Sequence, residues 1–220
     1  MIFLSYILDK QTPTYGNRNS FKQIKNSDIS KGDVANDTSI STTVHIGTHI
    51  DMPYHFYENA QTIEEYDASF WSFKKPLIVE IKQDDLIINE KLIEKLKTIE
   101  NNAYDILIVK TALCHERDKE IFWKENYGFH GDIYDYLIDA FPNLRVLGFD
   151  SISVSSFANR MIGRESHKRF LNPNKPILLL EDMDLRSINE NTKLKEIIVS
   201  PLRIANCDGL PCTVFGMLDD

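Results

Sequence analysis

The chain has 220 residues, 42% hydrophobic and 26% charged, with 9 glycines and 8 prolines, which is the composition of a water-soluble globular protein. Its 25 basic against 33 acidic residues leave a net charge of −8, so it lacks the positive field that draws proteins to phosphate backbones and anionic lipid. No nucleic-acid or membrane partner is therefore expected, and a small-molecule substrate is.

The amino terminus reaches Asp9 and Lys10 too soon for a secretory apolar region, and no apolar run approaches the roughly 18 residues of a membrane span. The expected location is cytoplasmic. Cys114, Cys207 and Cys212 are odd in number, form no C-x-x-C pair and read as reduced thiols.

Up to about residue 62 there is almost no helical periodicity and many turn formers, among them Pro13, Gly16, Asn17 and Gly32. Loops and β-structure are predicted there, with strand-like stretches at 2–8 and 39–46. Short apolar runs follow at 77–81, 106–109, 146–149, 177–180 and 197–199, the signature of buried strands. Helices are predicted between them. The clearest is 89–99, with Asn89 as cap and Leu92, Ile93, Leu96 and Ile99 along one stripe. Others are 119–125, 133–140, stopped by Pro142, and 164–171, stopped by Pro173. No repeat or linker divides the chain, so the expectation is one α/β domain over 1–220 with a β-rich N-terminal third. No G-x-G-x-x-G or G-x-x-x-x-G-K-[ST] motif is present to suggest a nucleotide.

Three of the 6 histidines fall in His45-Ile46-Gly47-Thr48-His49-Ile50-Asp51-Met52-Pro53-Tyr54-His55. From His45 the other polar groups lie at +4, +6 and +10, all even offsets, so one extended segment would send all four side chains to a common face. On a helix the +6 and +10 positions would rotate away by roughly 240° and 280°, and Pro53 would break the ladder. Ile46, Ile50, Met52 and Tyr54 occupy the opposite, apolar face. Imidazoles with a carboxylate suit Zn²⁺, Mn²⁺ or Fe²⁺, and three imidazoles on an apolar-backed strand are costly unless each has a partner. His115 and His130 show no such company. Further ligands are sought in His167 and in Glu181 or Asp182, at the end of the apolar run 177–180.

The stretch from His45 to Phe56 resembles the H-x-G-T-H-x-D-x-P-x-H signature of the metal-dependent cyclase/hydrolase family, which includes bacterial kynurenine formamidase and isatin hydrolase. Gly148-Phe149-Asp150-Ser151, then His167, then the stretch from Ile177 to Leu185 resemble its later blocks in the same order. The resemblance implies a swivelling β/β/α-type fold and a homodimer or larger assembly. It also implies His45, His49 and Asp51 as metal ligands, Asp51 bridging two ions, His167 and Glu181 completing a second position, and His55 as the proton-transfer group. One or two divalent ions, zinc or manganese, would be held per chain. His167 and Glu181 are farther apart in sequence than in the formamidases, and the 12–18 segment lacks the tryptophan those enzymes present, so formylkynurenine is not the favoured substrate.

A bound divalent ion lowers the pKa of its water from about 15.7 to about 7 and polarises a carbonyl. The expected activity is thus hydrolysis of a small amide, lactam or similar C–N bond, or of a lactone, in the manner of an arylformamidase or cyclic amidase. His55 would be the general acid/base. Two other readings are weighed. His49, Asp51 and His167 also match the two-histidine, one-carboxylate triad of Fe(II) oxygenases, although that leaves His45 and His55 unexplained. A non-catalytic, metal-stabilised binding protein would be expected to use a closed, usually cysteine-containing site. Arg160, Arg164 and Arg169 sit near His167 and read more readily as a solvated helix face than as an anion site. Phe70, Trp71 and Phe73 read as packing residues.

Overall fold

The computed structural model describes residues 1–18 and 21–219. Its strands are β1 (Ile2–Phe3), β2 (Lys22–Ser27), β3 (Asp37–Ser41), β4 (His49–Asp51), β5 (Ser72–Phe73), β6 (Pro76–Glu80) and β7 (Ile87–Ile88). They continue with β8 (Ile106–Lys110), β9 (Gly128–Phe129), β10 (Val146–Phe149), β11 (Leu178–Glu181), β12 (Leu194–Pro201) and β13 (Gly209–Leu218). The α-helices are α1 (Glu90–Lys97), α2 (Glu120–Lys124), α3 (Asp132–Ala140) and α4 (Arg160–Phe170).

The architecture is mixed α/β around one large sheet, ordered β5-β12-β13-β4-β11-β10-β8-β6, with β1 also pairing β13. The sheet has two halves. β6, β8, β10 and β11 run parallel, and β8, β10 and β11 are buried along their whole length. A strand covered on both faces has no solvent side to encode, which is why these read as unbroken apolar runs. β4, β13, β12 and β5 are joined in antiparallel fashion, and β4 pairs antiparallel with β11 at the seam. Among the described residues no α-helix precedes Glu90. The β2–β3 hairpin lies outside the large sheet, with nearly every residue exposed.

The helices sit where the periodicity predicts them, with shifted ends. α1 buries Leu92 and Leu96, but the Asn89 side chain makes no capping hydrogen bond, so the expected cap is not formed. α4 begins at Arg160 rather than 164, which adds a turn carrying Arg160 to the helix bearing His167.

The strand expectations differ more. The 2–8 stretch pairs over Ile2–Phe3 and at one bridge, Ser5 with Met183, and β3 ends at Ser41 instead of reaching 46. The longest strand, β13, was not expected, because Gly209, Pro211 and Gly216 interrupt its apolar pattern. Tertiary pairing overrides that local signal: β13 bridges β12 and β4 and takes up the backbone donors of both. Among the described residues no helix is long and apolar enough to cross a membrane.

Candidate metal centre

The site is built at the seam of the sheet. β4 lies between β11 and β13, with Glu181 opposite His49 on one side and Gly209 opposite Asp51 on the other. His49 and Asp51, two residues apart, share a strand face, while Ile50 and Met52 are fully buried in the core. The even-offset reading holds for this pair and fails for the rest of the motif. β4 is only three residues long, Gly47 sits at φ 59°, and Pro53–His55 forms a 3₁₀ turn. His45 and His55 therefore come back to the cleft through a bend and a turn, not along one pleated segment. The left-handed φ at Gly47 is a conformation a residue with a Cβ rarely adopts.

Four side chains form the buried part. His49, Asp51, His167 and Glu181 are each at most 5% exposed. The Nδ1–H of His49 donates to the Gly47 carbonyl at 2.8 Å, and that of His167 to the Gly163 carbonyl at 2.8 Å. A carbonyl only accepts, so in the neutral rings each Nε2 presents a bare lone pair. Those lone pairs face oxygen: His49 Nε2 lies 3.4 Å from Asp51 Oδ1 and 3.4 Å from Glu181 Oε2. His167 Nε2 lies 3.5 Å from Asp51 Oδ2 and 3.9 Å from Glu181 Oε1. Phe56 stacks on the His167 ring at 4.6 Å. Asp51 Oδ2 is buried and accepts no hydrogen bond among the described residues. Acceptors converging without donors are what a cation repairs, so these residues fit a divalent ion.

The electrostatics agree. Burial, reinforced by the Asp51 charge, pushes the Glu181 carboxyl well above the ordinary range. Burial acts the same way on Asp51, but the adjacent His45 outweighs it and holds Asp51 well below that range. Glu181 Oε1 is oriented by the Val154 N–H at 2.7 Å.

The outer part is satisfied internally. His45 Nδ1 meets Asp51 Oδ1 at 2.9 Å and its Nε2 meets Asp208 Oδ2 at 2.8 Å, while His55 Nδ1 meets the same Asp208 oxygen at 2.9 Å. Burial opposes a charge on His45, yet Asp51 and Asp208 together raise it to about 10. The His45 and His55 rings lie 4.1 Å apart. A Cβ on Gly209 would come within 2.5 Å of the His45 ring, so the space that ring occupies depends on a residue with no side chain. His45, Asp51 and His55 form one group able to hold an ion, and His49, Asp51 and Glu181 another, with Asp51 common to both.

Two residues escaped the sequence reading. Asp208 belongs to no motif, and its one local signal is a lone acid directly before β13; Gly209 is equally unmarked. The open choice between Glu181 and Asp182 is decided by the backbone. Asp182 sits at φ 51° and turns away into a bidentate pair with Arg117 at 2.8 and 2.7 Å, whose guanidinium lies over Tyr6. His115 lies apart from the cluster on a 3₁₀ turn, and His130 pairs with Asp132. Phe73 is core, and Phe70 packs with Tyr66, Trp71 and Arg145.

The cluster opens into a cleft of about 330 Å³ lined also by Tyr15, Ile152, Arg160 and Arg164. That volume suits a molecule of about one substituted ring.

The chain is 26% identical over 192 residues to cyclase-like protein 3 of Oryza sativa subsp. japonica, matching 82% of its own length and 65% of the relative's. It is 25% identical over 196 residues to cyclase-like protein 1 of Arabidopsis thaliana, matching 83% and 70%. The chain thus spans just under two thirds of the rice relative. Its fold is that of isatin hydrolase A from Labrenzia aggregata, at TM-score 0.78, 18% identity and coverage of 100% and 93%. A structure described as a potential metal-dependent hydrolase with cyclase activity matches at TM-score 0.75, 20% identity and coverage of 98% and 96%. The Cyclase family model, "Putative cyclase", matches residues 2–156, and the chain belongs to that family.

Proposed function

We propose that the protein is a metal-dependent hydrolase that cleaves a small amide or lactam C–N bond, or a lactone. The observation that carries this reading is the convergence of two Nε2 lone pairs and the donorless Asp51 Oδ2 at the floor of an open cleft. His49, Asp51, His167 and Glu181 would hold a divalent ion, zinc or manganese, and His45, on losing one of the protons it shares with Asp51 and Asp208, would extend the set toward a second. Such an ion supplies an activated water at neutral pH and polarises the substrate carbonyl.

The remaining steps belong to the chain. His55 stands at the rim with Nδ1 tied to Asp208, which orients its ring and leaves Nε2 as the proton-carrying atom. It accepts the proton of the attacking water and returns it to the leaving nitrogen or oxygen. His45, bonded to Asp51 and Asp208, positions Asp208 against His55. Ile152 and the buried strand ends limit water at the floor.

An Fe(II) oxygenase would need His49, Asp51 and His167 alone. Glu181 enters the same cluster as a fourth donor, and the fold is mixed α/β, both of which favour the hydrolase. A homodimer or larger assembly goes with the reading, to be measured by sedimentation. The test is metal analysis of protein purified without added metal, then a panel of N-formyl amides, isatin-like lactams and lactones with and without chelator. Metal-dependent, oxygen-independent turnover of one class supports the proposal. Oxygen consumption with 2-oxoglutarate would replace it with the oxygenase. Unfolding on chelation, without turnover of any class, would replace it with a metal-stabilised binding protein.

A further inference from the structure

Arg160, Arg164 and His167 stand at i, i+4 and i+7 of α4, which places them within about 60° of one another around the helix. One stripe therefore carries two guanidiniums and an imidazole. His167 reaches Asp51 and Glu181 at the floor, and both arginines line the same cleft above it.

These two arginines differ from their neighbours. Arg117 pairs with Asp182, Arg145 with Asp105, Arg169 with Asp135 and Glu165, and Arg186 with Asp184. Arg160 and Arg164 pair with no carboxylate among the described residues, in a chain with 33 acidic residues against 25 basic. Arg160 is exposed but anchored: its guanidinium lies 4.1 Å from the centre of the Phe157 ring, which packs edge-on against Tyr15 of the cleft wall. A planar cation set on an aromatic face presents its donors along its edge, where the Tyr15 hydroxyl of the cleft wall takes up one and the rest can meet an incoming acceptor. Arg169, further along α4 and outside the cleft, is partly buried and already committed to Asp132, Asp135 and Glu165.

We infer that Arg160 and Arg164 form an anion-binding rim that selects substrates bearing a carboxylate beside the scissile amide or lactam. This rests on the hydrolase reading and adds the substrate class to it. The floor carries Asp51 and Glu181, so an anionic substrate needs a compensating charge at the entrance. Along the helix axis the arginines stand about 4.5 and 10.5 Å from His167, one to two turns, a span that a substituted aromatic ring bridges. A guanidinium and a carboxylate make paired, charge-assisted hydrogen bonds that a neutral isostere cannot.

The test compares 4-formamidobenzoate with 4-formamidobenzamide, matched in shape and differing in charge, on the metal-loaded protein at low salt. The wild type is expected to favour the anion by about tenfold in kcat/KM, mostly through KM, with the preference shrinking as salt rises. In Arg160→Gln/Arg164→Gln the ratio falls toward one, and Arg160→Lys/Arg164→Lys retains part of it. Calorimetry of benzoate binding reads the same rim without turnover, and the Gln pair should bind it about tenfold more weakly. Equal turnover of both compounds by the wild type, or a preference that survives in the Gln pair, overturns the rim and leaves the hydrolase standing. If neither compound turns over but benzoate affinity falls in the Gln pair, the rim stands and the hydrolase reading loses support. Unchanged benzoate affinity in the Gln pair means that the anion is held elsewhere, and the rim is overturned.

Discussion

The inner and outer halves of the cluster are made of the same residue types and are wired in opposite ways. Inside, His49, His167, Asp51 and Glu181 approach one another at 3.4 to 3.9 Å with lone pairs facing oxygens. Outside, His45, His55 and Asp208 meet at 2.8 and 2.9 Å, with both ring nitrogens of His45 and Nδ1 of His55 in contact with a carboxylate oxygen. The difference lies in what the other ring nitrogen touches. Where Nδ1 is committed to a backbone carbonyl, the imidazole can only accept at Nε2 and calls for a cation; where a carboxylate is the partner, the ring can hold or pass a proton. In the proposed hydrolase, identical side chains would thus be divided into metal-holding and proton-handling groups by the partners of their ring nitrogens.

The division is breakable. The largest effect is expected from Asp51→Asn, which removes the charge common to both halves. Metal content should fall below stoichiometric and kcat/KM by at least about 10³-fold, as assayed by plasma emission and turnover. Retained metal would show that Asp51 is not the hub.

His55→Gln should separate the halves, keeping the ion while kcat drops about 10²- to 10⁴-fold. Lost metal, or undiminished turnover, would move His55 out of the proton-handling group.

Chelation should abolish activity with the circular dichroism spectrum largely intact. It should also lower Tm by about 5–10 °C, given an ion held at about a hundredfold above its Kd in a chain of this size. Glu181→Gln should narrow that gap, since the inner half then has one less charge to neutralise. A wider gap would mean that Glu181 does not face the ion.

The smallest effect is a pH shift. In metal-free protein the elevated His45 pKa gives a stabilisation that is full below the unfolded value of about 6.5 and is lost as pH rises through about 10. Asp208→Asn leaves burial and Asp51 as the remaining influences, so His45 should deprotonate at lower pH in an NMR titration. An unchanged midpoint would show that Asp208 does not bear on the outer half.

Much of this was legible before folding. The chain displays the parallel strands as apolar runs because burial on both faces leaves no alternation to mask them. Helical stripes located α1 and α3, although their ends moved by a residue or two, since capping depends on what the flanking chain meets. β13 stayed hidden because glycines and a proline weaken local propensity, while its pairing with β12 and β4 is non-local. The same non-locality hid Asp208, which lies 163 residues from His45 and 153 from His55.

By itself the sequence determined the candidate donors: the spacing of His45, His49, Asp51 and His55, the later His167 and Glu181, and the acidic balance of the chain. Residue chemistry and short-range spacing are written in the chain directly. Only the tertiary structure decided which nitrogen of each imidazole faces the cleft, that Asp182 turns to Arg117 while Glu181 turns inward, and that Asp208 and Gly209 complete the outer half. Those choices follow from which backbone carbonyl or strand lies opposite each side chain, and opposition across a sheet exists only once the strands have paired.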